Sequence, residues 1–327
     1  MLEDDIRPDA LKKDQESYIA QDIAFLHANK KEFVEISCPA CGMDNKKTVF
    51  TKIGFEYKEC SSCRMLYMSP RPTQSILGEF YSKSANYKYF NDYIFPASKE
   101  ARRKNIFIPR VDKVVSICKE YGVSLNSILE IGAGFGIFCE ELAKRNIFAD
   151  IVGLEATDAL YETTKDKGFK MYNGILEDVA IQEKFNVVVS FEVIEHVMNP
   201  LQHLAKINSL LLDGGVLLMT FPNYDGFDIS VLGMESDSID HEHLNYFNEK
   251  AIKIILENSR FELLHIETPG KLDVELVRKK ILSGEFLPGG FIRNICVDNY
   301  DTTGKLFQEF IQKQNLSSHM LVSARKV

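Results

Sequence analysis

Leu129-Glu130-Ile131-Gly132-Ala133-Gly134-Phe135-Gly136 is the stretch from which the fold is read. The apolar run from Ser127 to Ile131 has the length of a buried strand, and an apolar helical pattern begins at Ile137. Three glycines at alternate positions mark a sharp strand-to-helix turn, where the backbone can approach a ligand that a Cβ would obstruct. The unpaired N–H groups of the following helix point at whatever occupies the turn. The G-x-G-x-G spacing is not the G-x-G-x-x-G of a pyrophosphate cradle, and no Lys-Ser/Thr follows as a nucleoside-triphosphate loop requires. Taken alone, the glycines also fit a plain structural turn, so the neighbouring stretches carry the decision.

Downstream, Ile151-Val152-Gly153-Leu154-Glu155 is a second buried strand, whose terminal acid lies 25 positions after Glu130, one βαβ unit on. A carboxylate at that strand end can accept both hydroxyls of a ribose. A short strand near Phe169–Met171 leads to Asn173-Gly174-Ile175-Leu176-Glu177-Asp178, and Phe185–Ser190 is a fourth strand. A helix through Leu212 and the turn Asp213-Gly214-Gly215 feed a fifth strand, Val216–Phe221. After a helix over Glu249–Ser259, strands six and seven are expected at Phe261–Thr268 and Met320–Lys326. Strands alternating with helices predict an α/β fold with a doubly wound, mostly parallel seven-stranded sheet and ligands at the strand carboxyl ends.

The acid–glycine loop resembles motif I of class I S-adenosylmethionine (SAM) methyltransferases. Glu192-Val193-Ile194-Glu195-His196-Val197 resembles motif IV of those acting on small molecules such as quinone precursors and sugars, and the L-L-x-G-G-x-L-L turn followed by Phe221-Pro222-Asn223 is similar too. The resemblance implies a Rossmann-like domain with SAM as cofactor. Glu130, Gly132, Ala133, Gly134, Phe135 and Gly136 would hold its amino-acid end, and Glu155 with Ala156 its ribose. Leu176 and Glu177 would meet the adenine, and Phe191 and Glu192 would border the cofactor; His196 reads as a scaffold histidine beside the site, with a catalytic role as the alternative.

Upstream, residues 1–36 read as a charged helical arm, with Leu11, Tyr18, Ile19, Ile23 and Leu26 as a loose apolar stripe suited to docking. Residues 37–72 hold two C-x-x-C pairs, Cys38/Cys41 and Cys60/Cys63, with eighteen residues between Cys41 and Cys60. That spacing fits a structural zinc ribbon with a hairpin between the knuckles, and a closed site of four thiolates leaves no open coordination position. Disulfides are the competing reading, disfavoured by a cytoplasmic address. Cys118, Cys139 and Cys296 fall in apolar surroundings and read as free thiols. Residues 73–125 form an aromatic-rich helical linker or lid, from which Tyr87 and Tyr81 are candidates to cap the cofactor.

The methyltransferase domain, 126–327, carries an acceptor loop over 223–248 and an insertion over 270–315. The loop ends in Asp240-His241-Glu242-His243-Leu244-Asn245-Tyr246-Phe247, a composition suited to proton handling. His243 is expected as the base, oriented by Glu242, with His241 as second candidate. A structural histidine pair and a metal bound by H-x-H are the alternatives. The string resembles the Tyr-His-Glu-His-(x)2-Tyr-Phe segment of bacterial deoxysugar C-methyltransferases, which also carry an N-terminal C-x-x-C…C-x-x-C ribbon and enolise a keto-sugar with a His–Glu–Tyr set. Glu242 and His243 are retained, but Asp240 stands at the tyrosine position and the large C-terminal domain of those enzymes has no counterpart in this sequence.

In a chain of 327 residues with 45% hydrophobic and 26% charged residues, a net charge of −8 argues against a broad nucleic-acid surface. No apolar run approaches a membrane span, and the acidic start (Met1-Leu2-Glu3-Asp4-Asp5) is unlike a targeting peptide, so a cytoplasmic address is expected. The expected activity is methyl transfer from SAM to a small polar metabolite, foremost a nucleotide-linked sugar or polysaccharide precursor, on O, C or N, with a homodimer possible. The alternatives are an RNA methyltransferase gripping RNA with its ribbon, disfavoured by the acidic balance, and a SAM-binding module without turnover.

Overall fold

A computed structural model of the chain describes residues 2–327. The arm is one helix, α1 (Asp9–Ala28); the ribbon follows as β1 (Lys46–Lys52), β2 (Phe55–Cys60) and β3 (Leu66–Met68). The linker is helical throughout: α2 (Gln74–Lys83), α3 (Ala85–Tyr89), α4 (Phe95–Arg102) and α5 (Ile108–Tyr121), the last three joined by π turns at Phe90–Ile94 and Arg103–Phe107. Then come β4 (Ser127–Ile131), α6 (Ile137–Lys144), β5 (Asp150–Glu155), α7 (Asp158–Lys165), β6 (Lys170–Asn173), β7 (Phe185–Phe191), α8 (Pro200–Leu210) and β8 (Leu211–Pro222). The chain continues with α9 (Phe227–Leu232), β9 (Asn245–Tyr246), α10 (Glu249–Asn258), β10 (Phe261–Glu267), α11 (Asp273–Leu282), α12 (Gly290–Arg293), α13 (Lys305–Lys313) and β11 (His319–Lys326).

Seven strands make one sheet in the order β10-β11-β8-β7-β4-β5-β6, parallel from β8 to β6 with β11 antiparallel between β8 and β10. Its core divides by the two-residue period of a strand. Ile128, Val187, Val189, Val216 and Leu218 meet Val111, Val114 and Cys118 of α5 and Phe138 and Leu142 of α6 on one face. Leu129, Ile131, Val188, Leu217 and Met219 pack with Leu204 and Ile207 of α8 and Ile252 and Ile255 of α10 on the other. Apolar side chains on both faces are what a parallel strand between two helical layers requires, and the mostly parallel seven-stranded sheet expected from the sequence is observed.

Three sequence expectations are corrected. The helix before strand five ends at Leu210, and β8 begins at once, because Leu211 pairs with Phe185 across the sheet and the glycine turn is an irregularity within the strand. The stretch 223–248 is not a plain loop: it contains α9 and ends in β9. Nor does the ribbon's sheet end with the ribbon, because β9 pairs antiparallel with β3 (Leu66 with Tyr246, Tyr67 with Asn245) and makes a four-stranded sheet β1-β2-β3-β9. The insertion is helical, and Val274, Val277 and Ile281 of α11 with Ile311 of α13 bury Leu232 of α9, so it braces the far side of the acceptor segment. Among the described residues no helix is long and apolar enough to cross a membrane.

Candidate active site at the carboxyl edge of the sheet

The glycine loop closes on itself from β4 to α6. Gly132 and Gly134 both have positive φ, +74° and +53°. A Cβ on Gly132 would lie 2.6 Å from Val193 Cγ2, whereas one on Gly134 would meet nothing within 4 Å. The first glycine is therefore needed for packing, and the second leaves open the face of the loop where a ligand would lie. Glu155, at the end of β5, accepts from Gly134 N and Thr157 N, each at 2.8 Å, so its carboxylate is aimed at the loop by two backbone donors. Burial raises its pKa against the pull of those donors. Glu130, 3% exposed at the end of β4, accepts only from Cys139 Sγ at 3.1 Å, and burial pushes its carboxyl up to about 8. Ala133 is buried and Ala156 half-buried beside these acids. Phe135 stacks on Phe95 at 5.5 Å with the Lys167 ammonium 4.0 Å from its ring centre. An open cradle flanked by two buried carboxyls, Glu130 with one weak partner and Glu155 held by backbone donors, fits a ligand carrying positive charge and hydroxyl groups.

At the next strand end the sequence reading needs correction. Leu176 is 1% exposed in the core, and Glu177 meets His203 Nδ1 at 2.7 Å. Both side chains serve the interior, because His203 on α8 supplies a buried partner that the string 173–178 does not reveal. Glu192 follows β7 in a left-handed conformation (φ +58°) and meets Arg110 Nη2 at 2.5 Å and His319 Nε2 at 3.1 Å, with Thr220 Oγ1 also donating to it. Burial opposes its charge, but His319, Arg110 and Thr220 outweigh burial and hold the carboxyl well below its usual range. Phe191 packs beneath, its ring 4.6 Å from the Arg110 guanidinium.

The second half of the site gathers around the histidines. His243 Nδ1 lies 2.8 Å from the Ser238 carbonyl, so that nitrogen carries the proton and Nε2 presents its lone pair. Asp240 lies behind it, Oδ2 3.4 Å from Nδ1, and its Oδ1 accepts from Glu242 N at 2.8 Å and His243 N at 2.9 Å. Glu242 is placed elsewhere than expected: its Oε1 accepts from Asn86 Nδ2 at 3.1 Å and lies 3.5 Å from His241 Nε2. The loop thus holds two pairs, Asp240–His243 and Glu242–His241, because the Asx-like turn at Asp240 brings i and i+3 together and sends Glu242 toward the lid. Burial, then the nearby Glu242 carboxylate, raises the Tyr87 phenol pKa well above its usual value, so this expected cofactor cap stands against the acceptor loop.

His196 lies between the halves. Its ring is 4.6 Å from that of His243 and 5.9 Å from Tyr81, and its Nδ1 is 3.2 Å from the Glu242 carbonyl. Burial, then the His243 ring, lowers its pKa to about 3, so it is neutral. Glu195 beside it is fully buried, and neither carboxylate oxygen has a hydrogen-bond partner. Burial, then Glu192, drives its pKa well above the usual range. One ligand atom each from Glu195, His196 and His243 lie within 4.8 Å of one another.

The helical arm also takes part. Asp22 of α1, 4% exposed, accepts from Ser84 Oγ at 2.5 Å, Ala85 N at 2.8 Å and Asn86 N at 3.1 Å. It caps α3, which presents Asn86 and Tyr87 to Glu242. In the ribbon, Cys38, Cys41, Cys60 and Cys63 bring their Sγ atoms within 4.8 Å of one another, with Cys38–Cys63 and Cys41–Cys60 at 3.5 Å. Those separations are far beyond a disulfide bond and suit four thiolates about one tetrahedral ion. Cys118, Cys139 and Cys296 are free and buried.

Sheet order, glycine cradle and strand-end acids define a class I SAM-dependent methyltransferase. A family model described as a methyltransferase domain matches residues 97–266, and the chain belongs to that family. It is 29% identical over 136 residues to a ubiquinone biosynthesis O-methyltransferase of Maricaulis maris (37% of this chain, 53% of that protein). It is 32% identical over 117 residues to the protein of that name from Cereibacter sphaeroides (33% and 47%). The chain thus spans about half the length of these curated relatives. A solved complex between the Haloferax volcanii Trm112 methyltransferase activator and a methyltransferase shares the fold at TM-score 0.50 and 11% identity, over 73% of this chain and 96% of that one.

Proposed function

We propose that this chain methylates a small polar metabolite, foremost a hydroxyl of a nucleotide-linked sugar or polysaccharide precursor, with His243 as the base. The observation that carries the reading is the His243 geometry: Nδ1 is tied to the Ser238 carbonyl, Asp240 stands behind it, and one ring nitrogen lies within 4.8 Å of ligand atoms of Glu195 and His196. An imidazole held in that tautomer can take a hydroxyl proton through Nε2, and Asp240 stabilises the cation that results. The O-methylation for which the relatives are named favours oxygen over carbon or nitrogen. The polar groups around the base, Tyr81, Tyr87, His241 and Glu242, suit an acceptor with several hydroxyls.

When bound, SAM supplies an electrophilic methyl group on a sulfonium centre. Gly134 gives it room, Glu155 is placed to accept its ribose hydroxyls, and Glu130 is the anionic partner for its cationic methionine end. Holding both reactants in line supplies much of the rate. The four cysteines hold a structural zinc. The test is transfer of labelled methyl groups into a panel of nucleotide sugars, with dihydroxylated aromatic acids and total RNA as parallel lanes. Label in a sugar nucleotide upholds the reading; label only in RNA replaces it with the RNA methyltransferase alternative.

A second reading is favoured by Glu195. Its unpartnered carboxylate with His196 and His243 could hold a divalent cation that polarises the acceptor oxygen. Chelation that leaves the ribbon zinc in place separates the two: activity lost and restored by a divalent ion supports this reading, and activity retained supports His243 as a free base.

A further inference from the structure

We propose that Arg71 is a positioning residue of the transferase site. It acts as a fork that fastens the histidine segment to the strand turn beneath it; its place in catalysis rests on the His243 reading above.

Arg71 is completely buried, the largest side chain of the chain to be so. It donates from Nε to the Met68 carbonyl (2.9 Å), from Nη1 to the Met198 carbonyl and Asn245 Oδ1 (both 3.0 Å), and from Nη2 to the Leu244 carbonyl (2.9 Å). These acceptors belong to the ribbon exit, the end of the Glu195–His196 turn, and the residues directly after His243. Asn245 extends the clamp: its Nδ2 donates to the Val197 carbonyl at 2.8 Å and the Ile194 carbonyl at 3.1 Å. The backbone N–H groups of Leu244 and Asn245 both donate to the Glu195 carbonyl, at 2.7 and 2.9 Å. Glu195 and His196 on one side and His243 on the other are therefore held in register by one guanidinium and one amide. Only a planar fork can serve four acceptors in these directions; a lysine ammonium cannot.

All four acceptors are neutral. A cation buried without an anion is costly, and burial pulls the Arg71 pKa down to about 9. Opposing that cost is the Tyr67 ring, whose centre is 6.0 Å from the guanidinium.

The test compares Arg71→Lys and Arg71→Gln with the wild type in the full chain, each checked for zinc content and melting temperature. The readouts are amide hydrogen exchange, SAM affinity and turnover on the acceptor found by labelling. In both variants exchange at Leu244 and Asn245 should quicken about tenfold or more while β4 and β7 amides keep their protection. SAM affinity should stay within about twofold and turnover should fall, because the cofactor edge is untouched. Unchanged exchange at Leu244 and Asn245 in a folded variant overturns the fastening. If Arg71→Gln fails to fold, exchange in Arg71→Lys decides the fastening.

Discussion

Glu130 offers a quantitative test of the cofactor half of the site. Its carboxyl is 3% exposed, accepts one weak bond from Cys139, and is pushed up to about 8 by burial. Unliganded, it is about nine-tenths protonated at pH 7. A cationic methionine end beside it favours the ionised form, so binding below pH 8 expels a proton. The sign follows: affinity rises with pH until the free-protein pKa is passed. With a pKa near 8, the ionised fraction grows about ninefold from pH 6 to pH 7, and the SAM dissociation constant should tighten by about that factor. The assay is isothermal titration of SAM at half-unit steps from about pH 5.5 to 7.5, in two buffers of different ionisation enthalpy, which also counts the released proton. Glu130→Gln should bind more weakly at the top of that range and lose most of the slope. A flat profile in the wild type, or an equal slope in Glu130→Gln, refutes the assignment.

Four further outcomes are expected. His243→Ala should lower kcat by about 100-fold or more at nearly unchanged SAM affinity, the range for losing a general base, and wild-type turnover would remove that role. Glu155→Ala should weaken SAM binding in equilibrium titration with little effect on the acceptor KM; unchanged affinity would end the ribose assignment. Asp22→Ala removes the acceptor of three bonds that cap α3 and should cost about 1 kcal/mol in urea unfolding while raising the acceptor KM, since Asn86 and Tyr87 lose their anchor. Elemental analysis should find one zinc per chain, and Cys63→Ser should lower it and the melting temperature together; a metal-free wild type of full stability would exclude the structural ion.

The sheet, the glycine turn and the cysteine pattern were legible because each is written in a local period or spacing. β4, β5 and β7 are short apolar runs, and the two C-x-x-C pairs lie close together in sequence. Local readings failed where a partner came from far along the chain. Glu177 looks free in its own string, but His203 claims it. Glu242 looks like the natural partner of its neighbour His243, yet Asn86 on α3 draws it away. Arg71 stands between two prolines and reads as a boundary, and no local signal assigns it Asn245, 174 positions on. Asp22 is one acid among many in a charged arm, and its role appears only when α3 lies over it. Arg110 is no more visible, since nothing near it in sequence points to Glu192. Glu195 stands within a quoted motif, but that its carboxylate is unpartnered is a property of the packing alone.

The pairing of β9 with β3 has an architectural consequence. A ribbon at the start of a chain invites treatment as a cassette to be removed or exchanged between enzymes. Here it cannot be, because its sheet has its last strand in the segment that carries His241 and His243. Deleting residues up to Pro72 would strip β9 of its edge partner and leave the Leu244 and Met198 carbonyls without the donors of Arg71. The Asp240 carbonyl would also lose the Tyr57 hydroxyl, 183 positions away in sequence. A truncated protein should keep its cofactor edge and have no floor under its acceptor. For the same reason, a graft that changes the acceptor has to bring the ribbon with the loop, because the two share one sheet.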